Sequence, residues 1–184
     1  EATEDDAENA FLANEIGAAN IARAAATVDA PIVYLSTDYV FDGAKGSPYT
    51  PDDPVNPLNV YARSKVAGEI ATRALAPRHF IVRSAWLFGP GGNNFVEKIL
   101  RAASMRSVLR VVYDEIGSPT HTWDLVHAIL ALCGTGSFGV YHAVNTGACS
   151  RYEFAREIVR LAGLPNEVIP CASGEFPTRV QRPM

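Results

Sequence analysis

The sequence predicts an α/β fold in which a mostly parallel sheet is flanked by helices. Two observations carry this. Helix-period and strand-like segments alternate about five times along the chain. The strand-like runs are rich in Ile and Val without polar alternation, as in a sheet covered on both faces.

The elements follow in order. "DDAENAFLANEIGAANIARAAATV" sets Phe11, Leu12, Ile16, Ala19 and Ile21 at helical spacing and predicts one helix ending near Asp29-Ala30-Pro31. "PIVYLS" is a short β-branched run that predicts a buried strand. "DGAKGSPYTPDDPVNP" holds Pro48, Pro51, Pro54 and Pro57 and excludes regular structure. Helix resumes at about Asn59 and runs to about Ala76. "HFIVRSAW" predicts a strand, and "NNFVEKILRAASM" a helix with an Asn cap. "SVLRVVY" is a strand, "HTWDLVHAILALC" a helix and "GVYHAVN" a strand. "SRYEFAREIVRLAG" is a helix with a Ser cap and a Gly stop, and "EVIP" is a last short strand. The chain opens directly in a helix, with no strand–glycine-loop–helix unit ahead of it. It therefore reads as a sheet whose first part lies outside this sequence.

The chain has 184 residues, 48% hydrophobic and 20% charged, with a net charge of −4. That supports a core of ordinary size. The acidic balance argues against nucleic acid and anionic membranes as partners. No apolar run approaches the roughly 18 to 20 residues of a bilayer span. The opening "EATEDDAENAF" is acidic rather than basic-then-apolar, unlike a secretory leader. Cys133, Cys149 and Cys171 form no close pair. They predict small buried hydrophobes, no disulfide framework and a cytoplasmic setting. His121 and His127 lie about 600° apart on a helix and predict no metal site.

"LFGPGGNNFVEKI" follows a strand and opens a helix, and Gly89, Gly91 and Gly92 imitate a dinucleotide loop. Asn94 stands where a third glycine would, and Pro90 lacks the N–H that such a loop turns to phosphate. A turn lining a pocket is the better reading.

Three features converge elsewhere. "YLSTDYVF" sets Ser36, Thr37 and Asp38 at the carboxyl end of a strand, the edge where open α/β sheets bind ligands. Tyr61 and Lys65, four apart, share one face of the helix after the proline loop. The strand–loop–helix path can bring Thr37 to Tyr61. Such a set suits carbonyl reduction. An ammonium lowers a phenol's pKa toward neutrality, and a threonine hydroxyl steadies the carbonyl oxygen. Spacing alone leaves open a solvated helix face and a plain turn threonine.

The blocks "STDYVFDG", "PLNVYARSKVAGE", "RSAWLFGPGGNNFV", "VVYDEIGSPT" with "DLVHAI", and "GVYHAVNTGACSRYEFA" resemble, in order, the dTDP-4-dehydrorhamnose reductases. These are extended short-chain dehydrogenase/reductases. The likeness runs from "NEIGAANIARAA" to "FPTRVQRP". It implies a partial Rossmann-like sheet, with residues 1–112 an incomplete nucleotide-binding domain. Residues 113–184 would be an intertwined substrate-binding region with returning Rossmann elements. It implies reduction of the 4-keto group of dTDP-4-dehydro-L-rhamnose to dTDP-L-rhamnose with NADPH or NADH. Tyr61 would donate the proton, Lys65 would tune it and bind the nicotinamide ribose, and Thr37 would stand in for the superfamily's serine. Ser84 and Ala85 would neighbour the cofactor, while Tyr39, Trp86, Asn93 and Asn94 would contact substrate. Asn14 resembles an asparagine that many extended members place behind the site. The resemblance also admits a homodimer and Mg²⁺.

Departures accompany it. The family's G-x-x-G-x-x-G cofactor loop and its segment beyond R-P are not in this sequence, so a fragment with weak NADPH binding is expected. Glu115 replaces the usual Gln, and Ala85 the usual Ser. Asp38 is followed by Tyr39 rather than the Glu of sugar-nucleotide dehydratases, which favours simple reduction. Two other readings stay open. One is a non-catalytic regulatory subunit, like the reductase-like subunit of methionine adenosyltransferase. The other is an epimerase or dehydratase of another sugar nucleotide.

Overall fold

The computed structural model describes residues 2–175 and 180–183. Of "FPTRVQRP", residues 176–179 lie outside the described residues. The chain opens with α1 (Ala2–Asp5) and α2 (Ala7–Phe11), then a π-helical turn (Leu12–Ile16) and α3 (Gly17–Thr27). There follow β1 (Ile32–Thr37), a 3-10 turn (Asp38–Val40), α4 (Val60–Leu75), β2 (His79–Ser84) and β3 (Leu87–Phe88). Next come α5 (Phe95–Met105), β4 (Val108–Val112), β5 (Ile116–Gly117), β6 (Thr120–His121) and α6 (Thr122–Thr135). β7 (Gly139–His142), β8 (Cys149–Ser150), α7 (Arg151–Leu161) and β9 (Glu167–Cys171) complete the order.

Two compact units emerge, one built on Glu1–Ser84 with Val126–Ala143, the other on Ala85–Leu125 with Val144–Thr178. β4 ends at Val112 but pairs with β9, which keeps it in the second unit, while the stretch holding β7 returns to the first.

In the first unit β1, β2 and β7 form a parallel sheet in that order. Phe80, Ile81 and Val82 of β2 are fully buried, as a central parallel strand requires. α3 meets the sheet through small residues. Ala18 packs with Tyr34 and Ile81, and Ala22 with Ile32 and Ala76.

The predicted single N-terminal helix is interrupted. Asp6 breaks it by accepting from the Asn9 N–H and capping α2. Beyond Phe11 the helix widens, and the Gly17 N–H reaches back to the Leu12 carbonyl in the wider π register. α4 keeps its expected bounds because local chemistry sets them. The Asn59 side chain accepts from the Ala62 N–H, and Glu4 Oε1 accepts from the Val60 N–H at 2.7 Å.

The second unit is held by Ile99, Leu109, Val111, Ala155, Ile158 and Val159, from α5, β4 and α7. β4 and β9 pair in parallel, as do β3 and β6, while β5 and β8 are antiparallel. α7 begins with a full capping box between Ser150 and Glu153. Cys171 is buried and Cys149 half-buried, but Cys133 is exposed, against expectation, on the apolar α6. Among the described residues no helix is long and apolar enough to cross a membrane.

Candidate active site

Thr37 ends β1 and pairs in register with Ser84, which ends β2. Its extended backbone stops the strand, and its hydroxyl caps the 3-10 turn by accepting from the Tyr39 N–H at 3.3 Å. The same hydroxyl donates to Asp38 Oδ1 at 3.0 Å. The turn swings Tyr39 toward α4, where its ring meets that of Tyr61 edge-on with centroids 6.1 Å apart. The Thr37 side chain also acts on the Tyr61 hydroxyl. The first unit thus brings together Thr37, Tyr39 and Tyr61, with Lys65 one helical turn further along α4.

The electrostatics differ from the sequence-based expectation. Burial holds the Tyr61 hydroxyl above its ordinary pKa; the Thr37 side chain pulls it down and the Asp38 charge pushes it up. Burial lowers Lys65 to about 8, against the pull of Glu69. The Lys65 ammonium stands 4.2 Å above the Tyr34 ring. The downward pull on Tyr61 therefore comes from Thr37, and its surroundings outweigh that pull.

Behind the site lies a buried polar network. Glu69, on the Lys65 face of α4, takes a bidentate bond from Arg83, with Nε to Oε1 at 2.9 Å and Nη2 to Oε2 at 2.7 Å. The Ser36 hydroxyl donates to Glu69 Oε1 at 2.5 Å. Both side chains of the ion pair are 5% exposed. The Arg83 guanidinium also lies over Phe41 and donates to the Pro51 carbonyl. A charge inside the otherwise apolar "HFIVRS" was the available signal for this network. Asn14 is tied in as well, its amide donating to the fully buried Ser64 hydroxyl at 2.9 Å.

Ser84 is buried, and its hydroxyl has no hydrogen-bond partner among the described residues. Ala85, also buried, follows it at the strand end. An orphaned hydroxyl level with Thr37 fits a polar ligand at this sheet edge. Among the described residues no group of three or more His, Cys, Asp or Glu could hold a metal ion.

The remaining candidates lie in the second unit. Trp86 has φ 45, unusual for a bulky residue. Its indole is clamped. The Arg151 guanidinium stacks 3.4 Å from the ring centroid, and Gly117 sits so close that a Cβ there would fall 2.4 Å from the ring. Glu115 faces Arg151 at 3.5 Å. Asn93 is exposed. Asn94 caps α5, accepting from the Glu97 N–H and donating to the Gly89 carbonyl at 2.9 Å. That second bond closes the glycine turn on itself, and Gly89 packs against Thr122. The turn is thus built as a helix entry.

A family profile described as the RmlD substrate binding domain matches residues 1–184. The spore coat polysaccharide biosynthesis protein SpsK of Bacillus subtilis is 41% identical over 98% of this chain and 63% of its own. The dTDP-4-dehydrorhamnose reductase of Mycolicibacterium smegmatis is 41% identical over 98% of this chain and 56% of its own. The crystal structure of a Bacillus anthracis dTDP-4-dehydrorhamnose reductase in complex with NADP superposes with a TM-score of 0.95. It is 42% identical, over 98% of this chain and 64% of that one. The chain therefore spans less than two thirds of the length of these relatives.

Proposed function

The chain belongs to the RmlD substrate binding domain family, and from that premise we propose that it carries the proton-delivery site of a nucleotide-sugar ketone reductase. The reaction is reduction of the 4-keto group of dTDP-4-dehydro-L-rhamnose to dTDP-L-rhamnose, with NADPH as reductant. The observation that carries this reading is the meeting of Thr37, Tyr39 and Tyr61 at the carboxyl end of a parallel strand, with Lys65 one turn behind.

In this reading the Thr37 hydroxyl holds the ketone oxygen beside the Tyr61 phenol. Tyr61 gives its proton to that oxygen as negative charge develops there. A phenol held above its ordinary pKa stays protonated at neutral pH, as a proton donor must. NADPH supplies the hydride. Lys65, Ser84 and Ala85 would hold it, and the orphaned Ser84 hydroxyl fits that role. Tyr39 offers substrate an aromatic wall beside Tyr61. Trp86 and Asn93 take substrate contacts on the strength of the family resemblance, whereas Asn94 serves as the α5 cap. A nucleotide-sugar substrate and a biosynthetic role in the cytoplasm follow from the same reading.

The test is NADPH oxidation by the intact protein, followed at 340 nm, with and without dTDP-4-dehydrorhamnose. Substrate-dependent oxidation is expected, falling at least about 100-fold in Tyr61→Phe. Full activity of Tyr61→Phe would refute Tyr61 as the donor. No turnover by the wild type, with tight binding to a protein partner, would favour a regulatory subunit instead.

A further inference from the structure

Tyr34 lies on β1, three residues before Thr37, and none of the chemistry above uses it. It is 9% exposed and packs with Ala18 and Ile81. Its hydroxyl is shared between two carbonyls, that of Asn14 in the π-helical turn at 3.1 Å and that of Lys65 in α4 at 3.3 Å. Its ring face looks at the Lys65 ammonium from 4.2 Å. Gly68 completes the arrangement. A Cβ there would fall 2.1 Å from the Tyr34 hydroxyl and 2.1 Å from the Asn14 carbonyl, so α4 approaches this ring as only glycine permits. We infer that Tyr34 is a positioning residue for Lys65: its ring face seats the ammonium, and its hydroxyl fixes the Lys65 backbone to the π-helical turn.

A tyrosine serving only as core filler would need one partner for its hydroxyl and none for its ring face. Here one side chain grips the same lysine twice, at the backbone and at the charge. The ring contact favours the charged form of Lys65, and burial opposes that form. Glu69, on α4, also acts on Lys65. Glu69 and Tyr61 both act on Tyr34. From β2, Arg83 engages Glu69, and from the 3-10 turn Asp38 acts on Tyr61. From the π-helical turn comes the uncharged Asn14. Tyr34 would therefore control how Lys65 is presented to the cofactor, which rests on the reductase reading.

The experiment compares wild type, Tyr34→Phe and Tyr34→Leu in the intact protein. The Lys65 side-chain signal is titrated by carbon-13 NMR and assigned with Lys65→Arg, and KM for NADPH is measured separately from kcat. Phe keeps the ring, so the Lys65 midpoint stays within about 0.2 pH unit of wild type, while Leu lowers it by about 0.5 to 1 pH unit. KM for NADPH rises several-fold in Leu and by a smaller factor in Phe, which keeps the ring but loses the hydroxyl bond to the Lys65 backbone. A midpoint in Leu within about 0.2 pH unit of wild type, or a fall in Phe as large as in Leu, overturns the proposal. Should Leu fail to fold, Tyr34→Met removes the ring with less change of shape and is judged by the same criteria. The titration needs no turnover, so an inactive wild type would refute the reductase reading and still leave the seating of Lys65 measurable.

Discussion

Removing Arg83 is the sharpest test of how the site is supported. In Arg83→Leu, the Glu69 carboxylate would lose both guanidinium bonds, at 2.7 and 2.9 Å, and keep only the Ser36 hydroxyl. Each partner's side chain is 5% exposed, so water cannot take the place of the lost partner. Breaking such a buried pair from one side costs about 3 to 5 kcal/mol. Glu69→Leu should cost about 3 kcal/mol, toward the low end, because the guanidinium keeps the Pro51 carbonyl and the Phe41 face. The double variant leaves no buried charge. Its main debt is the Ser36 hydroxyl, about 1 to 3 kcal/mol. The singles are thus strongly non-additive, with a coupling on the order of 5 kcal/mol. Urea unfolding at pH 7, followed by circular dichroism, measures all four corners of the cycle. Additivity within about 0.5 kcal/mol, or either single variant costing under about 1 kcal/mol, would refute the reasoning.

Two further outcomes are expected. Asn94→Ala should lose about 1 kcal/mol of stability by removing the α5 cap, with KM for the sugar nucleotide unchanged; a tenfold rise in KM would return Asn94 to the substrate. Lys65 has a folded pKa near 8, below its ordinary 10.5. Between those values the unfolded chain holds more protons, so this group makes stability rise with pH across that window. The difference in melting temperature between wild type and Lys65→Met should change with pH from about 8 to about 10 and be flat below, which differential scanning calorimetry would detect.

The parts legible from sequence were those fixed by neighbours along the chain. Asn94 and Ser150 were readable as caps because their partners lie three residues on. The "PIVYLS" strand and the "HFIVRS" part of "HFIVRSAW" were readable from composition, and the approach of Thr37 to Tyr61 from the strand–loop–helix path. What stayed hidden depends on partners chosen in three dimensions. Nothing in "LANEI" announces a widened helix, because the Tyr34 hydroxyl that meets its Asn14 carbonyl belongs to a strand 20 residues away. Arg83 was visible as an odd charge, but its pairing with Glu69 and Ser36 joins three elements. The left-handed backbone of Trp86 gave no local sign, since glycine or asparagine would ordinarily mark it.

The pairing of β2 with β7 carries a consequence for biosynthesis. Phe80 finds its partner at Gly139, after the chain has traversed the whole stretch from Ala85 to Leu125. On the ribosome, β2 therefore emerges long before the strand that covers its far edge. Phe80, Ile81 and Val82 must wait with that edge open, an invitation to mispairing with other nascent chains. A chain stalled between α5 and β7 would be the aggregation-prone species, and chaperones would be needed most in that interval.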